Sequence, residues 1–414
     1  VGPKNAPTPA GWPGAVRKAG FRDVRDDAAI LSGAAWDELL EELRQAGEYI
    51  RGEQLPTSPF ERAEGYRHLA TLLRLGASEM LSSVDPERPR FQFSDNTAKW
   101  GLDCSDALYC QAALRAGAVY RVHGRRGSVH FIGFQLTGGA RALGDVDIDD
   151  LQLGPDGEFE LIIGGEPREG DWMELVEGTS TLTVRQFFYD WDNEIPATLA
   201  IDRIDDGERR VPRLVESGGI VGQLPALGAF VRGGLEFWAD SSIGKRDGQL
   251  NAFPADHGIG AAAGSSQSYQ AFGIGYFVLA PDEALIVEVT PPKAKYWSLH
   301  LGNFWGESLD YVNFQSSLNG YQAVIDPDGV FRAVVSRSDP GIANWLDTAG
   351  HLEGSMVYRW NQADGRPIPT TRLIKLDEVT SVLPDATPRV DASERLAAVD
   401  RRREHMRRRM ARPI

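Results

Sequence analysis

The sequence predicts a mainly β chain with N-terminal and C-terminal helices, built on two related antiparallel β-sandwich modules. Three observations predict it. From about residue 118 polar and apolar residues alternate in short runs broken by Gly-rich turn clusters, which is the pattern of antiparallel strands. The motifs of those runs return in the same order further along the chain. Near both ends the apolar period lengthens from two to the three-and-four spacing of helices.

The helices at the N-terminal end come first. Ala35, Trp36, Leu39, Leu40, Leu43 and Ala46 recur at helical spacing over 34–51. Ser58-Pro59-Phe60-Glu61 then supplies an N-cap, a proline in the first helical position and a glutamate three residues past the cap. That run passes Ala63, Leu69, Leu72, Leu73 and Met80 and stops before Asp85-Pro86. The first twenty residues, rich in Pro, Gly and Ala, read as an arm with little structure of its own.

Alternation begins with Val119-Tyr120-Arg121-Val122-His123 and Val129-His130-Phe131-Ile132-Gly133-Phe134, separated by the turn cluster Gly124-Arg125-Arg126-Gly127, which reads equally as a charged hairpin or, with Arg121, as a carboxylate- or sulfate-binding stretch. Pro155-Asp156-Gly157 is echoed by Pro327-Asp328-Gly329, each leading into a strand, and Trp172 is echoed by Trp345. A proline follows each tryptophan at the same distance (Pro196, Pro369), and a threonine stands two residues beyond each (Thr198, Thr371). The ordered set reads as a duplicated sandwich module. Between the copies, Leu224–Asp240 reads as a helix softened by glycines, and 258–266 as a mobile Gly-rich loop. At the far end Asp391-Ala392-Ser393-Glu394 caps a helix with Leu396, Val399, Arg403, Met406 and Met410 along one seam. The chain thus divides into an arm and helical segment (1–95), a first module (96–215), a connecting helix and loop (216–270), a second module (271–385) and a basic C-terminal helix (386–414).

Charge and composition exclude several classes. A net charge of −15 argues against a nucleic-acid binder, because phosphate contacts need a basic surface. The exception is 401–412, with seven arginines against one glutamate, which reads as docking onto the acidic body or onto a second copy of the chain. No apolar run reaches the ~18 residues of a membrane span, and residues 1–5 carry no apolar secretion signal, although the missing initiator Met leaves a removed presequence open. Two cysteines, Cys104 and Cys110, read as reduced thiols of a cytoplasmic protein. Seven scattered histidines without His-x-His or HExxH spacing argue against a metal site, with carboxylate-only Ca²⁺ or Mg²⁺ binding left open, and the absence of nucleotide motifs predicts no cofactor.

Arg62-Ala63-Glu64-Gly65-Tyr66-Arg67, Tyr120-Arg121-Val122-His123-Gly124-Arg125-Arg126-Gly127, Asp339-Pro340-Gly341-Ile342-Ala343-Asn344-Trp345-Leu346-Asp347, Arg359-Trp360 and Pro369-Thr370-Thr371-Arg372 together are familiar. In these phrases, chiefly those within 284–376, the chain resembles the bacterial proteins of domain of unknown function twelve-fourteen, often paired with domain twelve-fifty-four. The resemblance implies a jelly-roll-like second module and a β-rich partner. It carries over no activity and no catalytic residue.

Polar residues gather most densely between Tyr296 and Tyr311. His300, Glu307, Asp310 and Tyr311 are the candidate acid–base residues, since carboxylates and an imidazole with separated pKa values can exchange protons with a substrate. Trp297, Asn303 and Trp305 beside them, with Tyr109, Arg121 and His257, are the candidate substrate-binding residues. Strand alternation supplies the plainer reading, in which Trp297 and Leu299 pack inward while Ser298 and His300 face the other way. Arg359, inside an aromatic strand, is expected to pair with a buried carboxylate such as Asp347. Two functions follow. One is a metal-independent hydrolase, lyase or isomerase acting on a small cyclic or glycosidic substrate in a cleft between the modules, with the C-terminal helix open to homo-oligomer formation. The other is a non-catalytic carbohydrate- or hydrophobic-ligand-binding or scaffold protein. They differ in whether His300, Glu307 and Asp310 converge.

Overall fold

The structure, a computed structural model, describes residues 27–81, 85–94, 97–139, 141–205, 217–248, 250–255 and 270–411. The predicted arm, the Gly-rich loop at 258–266 and His257 lie outside those residues. Helices α1 (Asp27–Leu31), α2 (Ala34–Tyr49) and α3 (Pro59–Leu81) come first. Ser58 Oγ accepts from the Glu61 amide at 3.1 Å, so the expected cap starts α3. Then come β1 (Gln92–Phe93), β2 (Ala107–Ala113), β3 (Tyr120–Arg125), β4 (Phe131–Gly138), β5 (Arg141–Asp147), β6 (Glu158–Ile163), β7 (Trp172–Met173), β8 (Thr181–Phe187) and β9 (Thr198–Arg203). The long helix α4 (Ser217–Gly248) leads to β10 (Gln270–Val278), β11 (Glu283–Val289), β12 (Ala294–Gly302), β13 (Ser317–Asn319), β14 (Phe331–Ser336), β15 (Trp345–Asp347), β16 (Glu353–Ala363) and β17 (Thr370–Lys375). Helices α5 (Val379–Val382) and α6 (Ala392–Met410) follow. Among the described residues the chain is mainly β, with four open sheets and six α-helices, and no helix is long and apolar enough to cross a membrane.

Strand orders are β1-β2-β8-β4-β5 in sheet I, β7-β6-β3-β9 in sheet II, β10-β16-β12-β13 in sheet III and β15-β14-β11-β17 in sheet IV. With β1 set aside, sheet III repeats the order of sheet I, and sheet IV repeats that of sheet II. The echoed motifs fall at matching places. Trp172 and Trp345 lie on the short parallel strands β7 and β15, and their indole N–H groups donate to Gly164 O and Ser336 O at 3.0 and 3.1 Å. Gly157 and Gly329 close the Pro-Asp-Gly turns at φ of 72° and 82°, a backbone region that favours glycine. Of the two readings of 124–127, the hairpin is not what forms. Because β3 belongs to sheet II and β4 to sheet I, the stretch 124–127 carries the chain from one sheet to another and is not a hairpin turn.

Side chains of sheets I and II share one core, including Phe134, Val184, Tyr120 and Leu161. Sheets III and IV share another, including Leu299, Tyr358, Leu285 and Val335. A third apolar cluster joins α2, α3 and α4 to Tyr276, Phe304 and Trp305. The face of α6 differs from the expected seam: Arg395, Arg402, His405, Met406 and Arg409 are buried, while Leu396 is 67% exposed and Arg403 is also exposed. Guanidinium groups sit inward because they find backbone carbonyls and aromatic faces there. Arg402 Nη1 donates to Tyr311 O at 3.1 Å, Arg409 Nη1 to Ser105 O at 2.7 Å, and both cover Trp191. The helix therefore docks on its own chain.

Candidate functional site

The second faces of sheets I and III meet around Phe131, Phe187 and Tyr296, while Leu102 and the α4 residue Trp238 pack on Ile274 and Val357 of sheet III. Side chains alternate along a strand, so the residues between the core positions of each sheet point into this shared layer. On sheet III the cross-strand rows are Gln270–Asn361–Tyr296, Phe272–Arg359–Ser298 and Ile274–Val357–His300. On sheet I they are Ala107–Phe187–Phe131, Tyr109–Arg185–Gly133 and Gln111–Thr183–Gln135. Aromatic contacts seal one end, with the Phe187 and Tyr296 ring centroids 5.1 Å apart. Asp106 is buried beneath them, accepting from Tyr296 Oη at 2.7 Å, Trp191 Nε1 at 2.8 Å and Asn319 Nδ2 at 2.9 Å. Burial pushes its carboxyl up in spite of these bonds. Lys295 Nζ, bonded to Asp147 and Asp149 at 2.9 and 2.6 Å, ties the sheets along another margin.

The rest of the layer is polar and poorly satisfied. Arg185 Nη1 donates to Gln135 Oε1 at 2.7 Å. Among the described residues, Gln135 Nε2, both amide atoms of Asn361, Arg359 Nε and both ring nitrogens of His300 meet no hydrogen-bond partner. The Leu102 carbonyl lies near His300 but outside hydrogen-bonding geometry. Burial, with the charges of Arg359 and Lys99, holds the His300 imidazole well below its ordinary pKa. Buried polar groups are nearly always paired, so several orphans in one layer mark a place built for something else. Tyr109, Arg185 and Phe272 keep partial exposure and form its open side. Burial and the Cys104 thiol push the Tyr109 phenol up to about 12, so it stays a donor.

The residues singled out in the sequence separate. His300 faces this layer, and Tyr109 stands at its mouth. Glu307 belongs to a different contact, where Arg67 Nη2 and Asn303 Nδ2 donate to Oε2, the latter at 2.9 Å, and His68 Nδ1 lies 3.2 Å from Oε1. Burial opposes its charge, but His68 and Arg67, with Asn303, overcome this and hold the carboxyl at about 2. Trp305 donates from Nε1 to Glu61 O at 2.8 Å and packs on α3. Asp310 caps a turn, accepting from the amides of Val312 and Asn313 at 3.0 and 3.1 Å. Tyr311 is buried under Lys99, whose Nζ lies 4.3 Å from the ring centroid. Trp297 lies in the core of sheets III and IV, edge-on to Phe331. Arg121 points outward from sheet II and pairs with Asp202 at 2.9 Å, near a shallow groove of about 650 Å³ that contains His123 and Glu160. Glu307, Asp310 and Tyr311 thus do not join His300 as a proton-transfer group. Arg359 also departs from expectation. Its Nη2 donates to Leu102 O at 2.7 Å, whereas Asp347 lies on sheet IV.

Arg185, Gln135, Phe272 and Asn361 escape a sequence reading. Their one signal is a polar residue at alternate positions between large apolar ones, as in Tyr358-Arg359-Trp360-Asn361, and it does not say that both faces of the sheet are covered. Among the described residues no three His, Cys, Asp or Glu side chains gather as metal ligands.

No protein-family model matches the chain, and no curated protein matches it. A Vibrio parahaemolyticus protein of known structure is 11% identical at a TM-score of 0.45, over 75% of this chain and 98% of that one. The crystal structure of an uncharacterised protein from Burkholderia cenocepacia superposes with a TM-score of 0.79 at 35% identity, over 84% of this chain and 99% of that one. At that identity and coverage, the chain belongs to the family of the Burkholderia cenocepacia protein.

Proposed function

We propose that the chain binds a small molecule between sheets I and III, as a non-catalytic ligand-binding protein of the twelve-fourteen type with each pair of sheets forming a jelly-roll-like sandwich. The observation that carries this reading is the layer of buried, partnerless polar atoms on Gln135, His300, Arg359 and Asn361. Leaving such groups unpaired is costly, so a ligand that bonds to them recovers the loss. The largely buried rings of Tyr109 and Phe272 give that ligand an apolar wall. The engagement of Glu307, Asp310 and Tyr311 in other contacts favours binding over acid–base turnover. Two buried cysteines that form no disulfide suit a cytoplasmic setting.

The test is a crystal structure of the chain soaked with a panel of sugars and of cyclic compounds, both neutral and charged. Density between Tyr109 and Phe272 is the expected result. A panel that leaves this layer empty, or occupies only the outer groove beside His123, removes the proposal.

A further inference from the structure

We infer that the ligand held between sheets I and III carries a carboxylate, and that Arg359 is the residue that receives it; this rests on the binding reading above. Arg359 is 8% exposed. It stands mid-strand on β16, with Phe272 and Ser298 as its cross-strand neighbours. Its guanidinium makes one protein hydrogen bond, to the Leu102 carbonyl, and covers the Phe272 ring with Cζ 5.4 Å from the centroid. Among the described residues no carboxylate lies within ion-pair reach of it, whereas many other arginines of this fold, such as Arg121, Arg203, Arg332 and Arg395, stand beside one. A buried arginine without a counter-ion is expensive, and a ligand carboxylate is the planar, bidentate partner that its fork fits.

The surroundings point the same way. Two residues on, along the same strand face, Asn361 keeps both amide atoms unpaired, and Gln135 on the facing sheet keeps its amide nitrogen unpaired. Arg185 adds a second guanidinium to the layer, with its Cζ 5.8 Å from the Tyr109 ring. The acidic groups near Arg359 do not neutralise it. The Asp103 carboxylate accepts from the Ser308 amide and hydroxyl at 3.1 and 2.8 Å, and burial pushes it and the Cys104 thiol toward their neutral forms. Leu102, whose carbonyl steadies the guanidinium, has a φ of 50°. A leucine in the left-handed region is uncommon and is retained where surrounding structure demands it. The two aromatic rings at the mouth suit a cyclic body behind the charged group.

Titration calorimetry on the full chain tests this with benzoate and cyclohexanecarboxylate, each against its own primary amide, and with inorganic phosphate as competitor. The acids should bind at least tenfold more tightly than the amides in the unaltered protein, a comparison that no folding defect can confuse. Arg359→Gln should abolish that preference, while Arg359→Lys should keep part of it. Phosphate should not displace the acids at comparable concentration. Equal binding of acid and amide, unchanged by Arg359→Gln, overturns the carboxylate assignment and leaves the binding layer standing. Displacement by phosphate at equal strength also overturns it, in favour of a general oxyanion site. Binding that survives unaltered in Thr183→Trp, which fills the layer from sheet I, removes both the assignment and the site.

Discussion

A Cβ on Gly65 would come within 2.5 Å of the Trp305 indole, so helix α3 needs glycine there to lie against the second half of the chain. Around that contact Arg67 and His68 reach Glu307, and Glu61 receives the His351 Nδ1 hydrogen at 2.9 Å. Most of the motif Glu61-Arg62-Ala63-Glu64-Gly65-Tyr66-Arg67-His68 is thereby accounted for as a docking surface. Gly65→Ala should cost about 1–3 kcal/mol, because a single extra methyl is forced into a packed interface; urea denaturation measures it. Glu307→Gln should cost roughly 2–4 kcal/mol at neutral pH, since it strands the Arg67 charge and removes the carboxylate beside buried His68, though Arg67 keeps 46% of its side chain exposed. The pH dependence has a definite sign. With its folded pKa at about 2 against an ordinary 4.5, Glu307 contributes stability above pH 4.5 that is lost as pH falls toward 2. Unfolding midpoints at pH 5 and pH 3 should therefore converge between the unaltered chain and the glutamine variant. The sequence shows Trp305, Asn303 and Glu307 as a polar–aromatic cluster, but a docking clasp and a catalytic group have the same composition. Only the position of α3 separates them.

Helix α6 poses the same problem at the level of an element. Its boundaries are legible from the Asp391–Glu394 capping box, which forms with Asp391 Oδ1 accepting from the Glu394 amide at 2.9 Å. Its buried face is not legible, because hydrophobic spacing cannot announce that arginine is the inward residue. His405 fixes the arrangement. Its Nδ1 donates to Trp191 O at 2.6 Å, and its Nε2 accepts from Arg409 Nε at 2.8 Å, which requires a neutral ring. Burial, then the Arg409 charge, holds that imidazole at about 2. The unfolded chain would regain an ordinary value near 6.5 and bind a proton there, so stability is complete above about pH 6.5 and declines as pH drops below it. His300 adds to the same loss, each group contributing up to about 1.4 kcal/mol per pH unit. Replacing His405 by Gln should flatten the decline between pH 6 and pH 4, as followed by thermal melting. Removing residues 392–411 should lower the melting temperature with no change in the association state measured by sedimentation, because the buried face of α6 is already occupied by its own chain.

Across the whole molecule, the repeat read from Pro-Asp-Gly, Trp and Pro-x-Thr places equivalent strands correctly in both halves, because each motif fixes a turn, an edge or a strand start. The layer between the halves follows from no local pattern. His300 and Arg359 look like solvent-facing alternates until a second sheet covers them, and that sheet belongs to a segment roughly 170 residues earlier in the chain (Tyr109 to Arg185). The contact of Arg409 with Ser105 spans 304 positions. A ribosome working at roughly 5–20 residues per second delivers the two ends of that contact about 15–60 s apart. For that interval the first sheets exist without the helix that covers Trp191 and neighbours Asp106, so the nascent chain carries a bare aromatic and acidic surface. The half-built molecule is consequently the form that chaperones have most reason to hold, and its exposure ends only when α6 emerges.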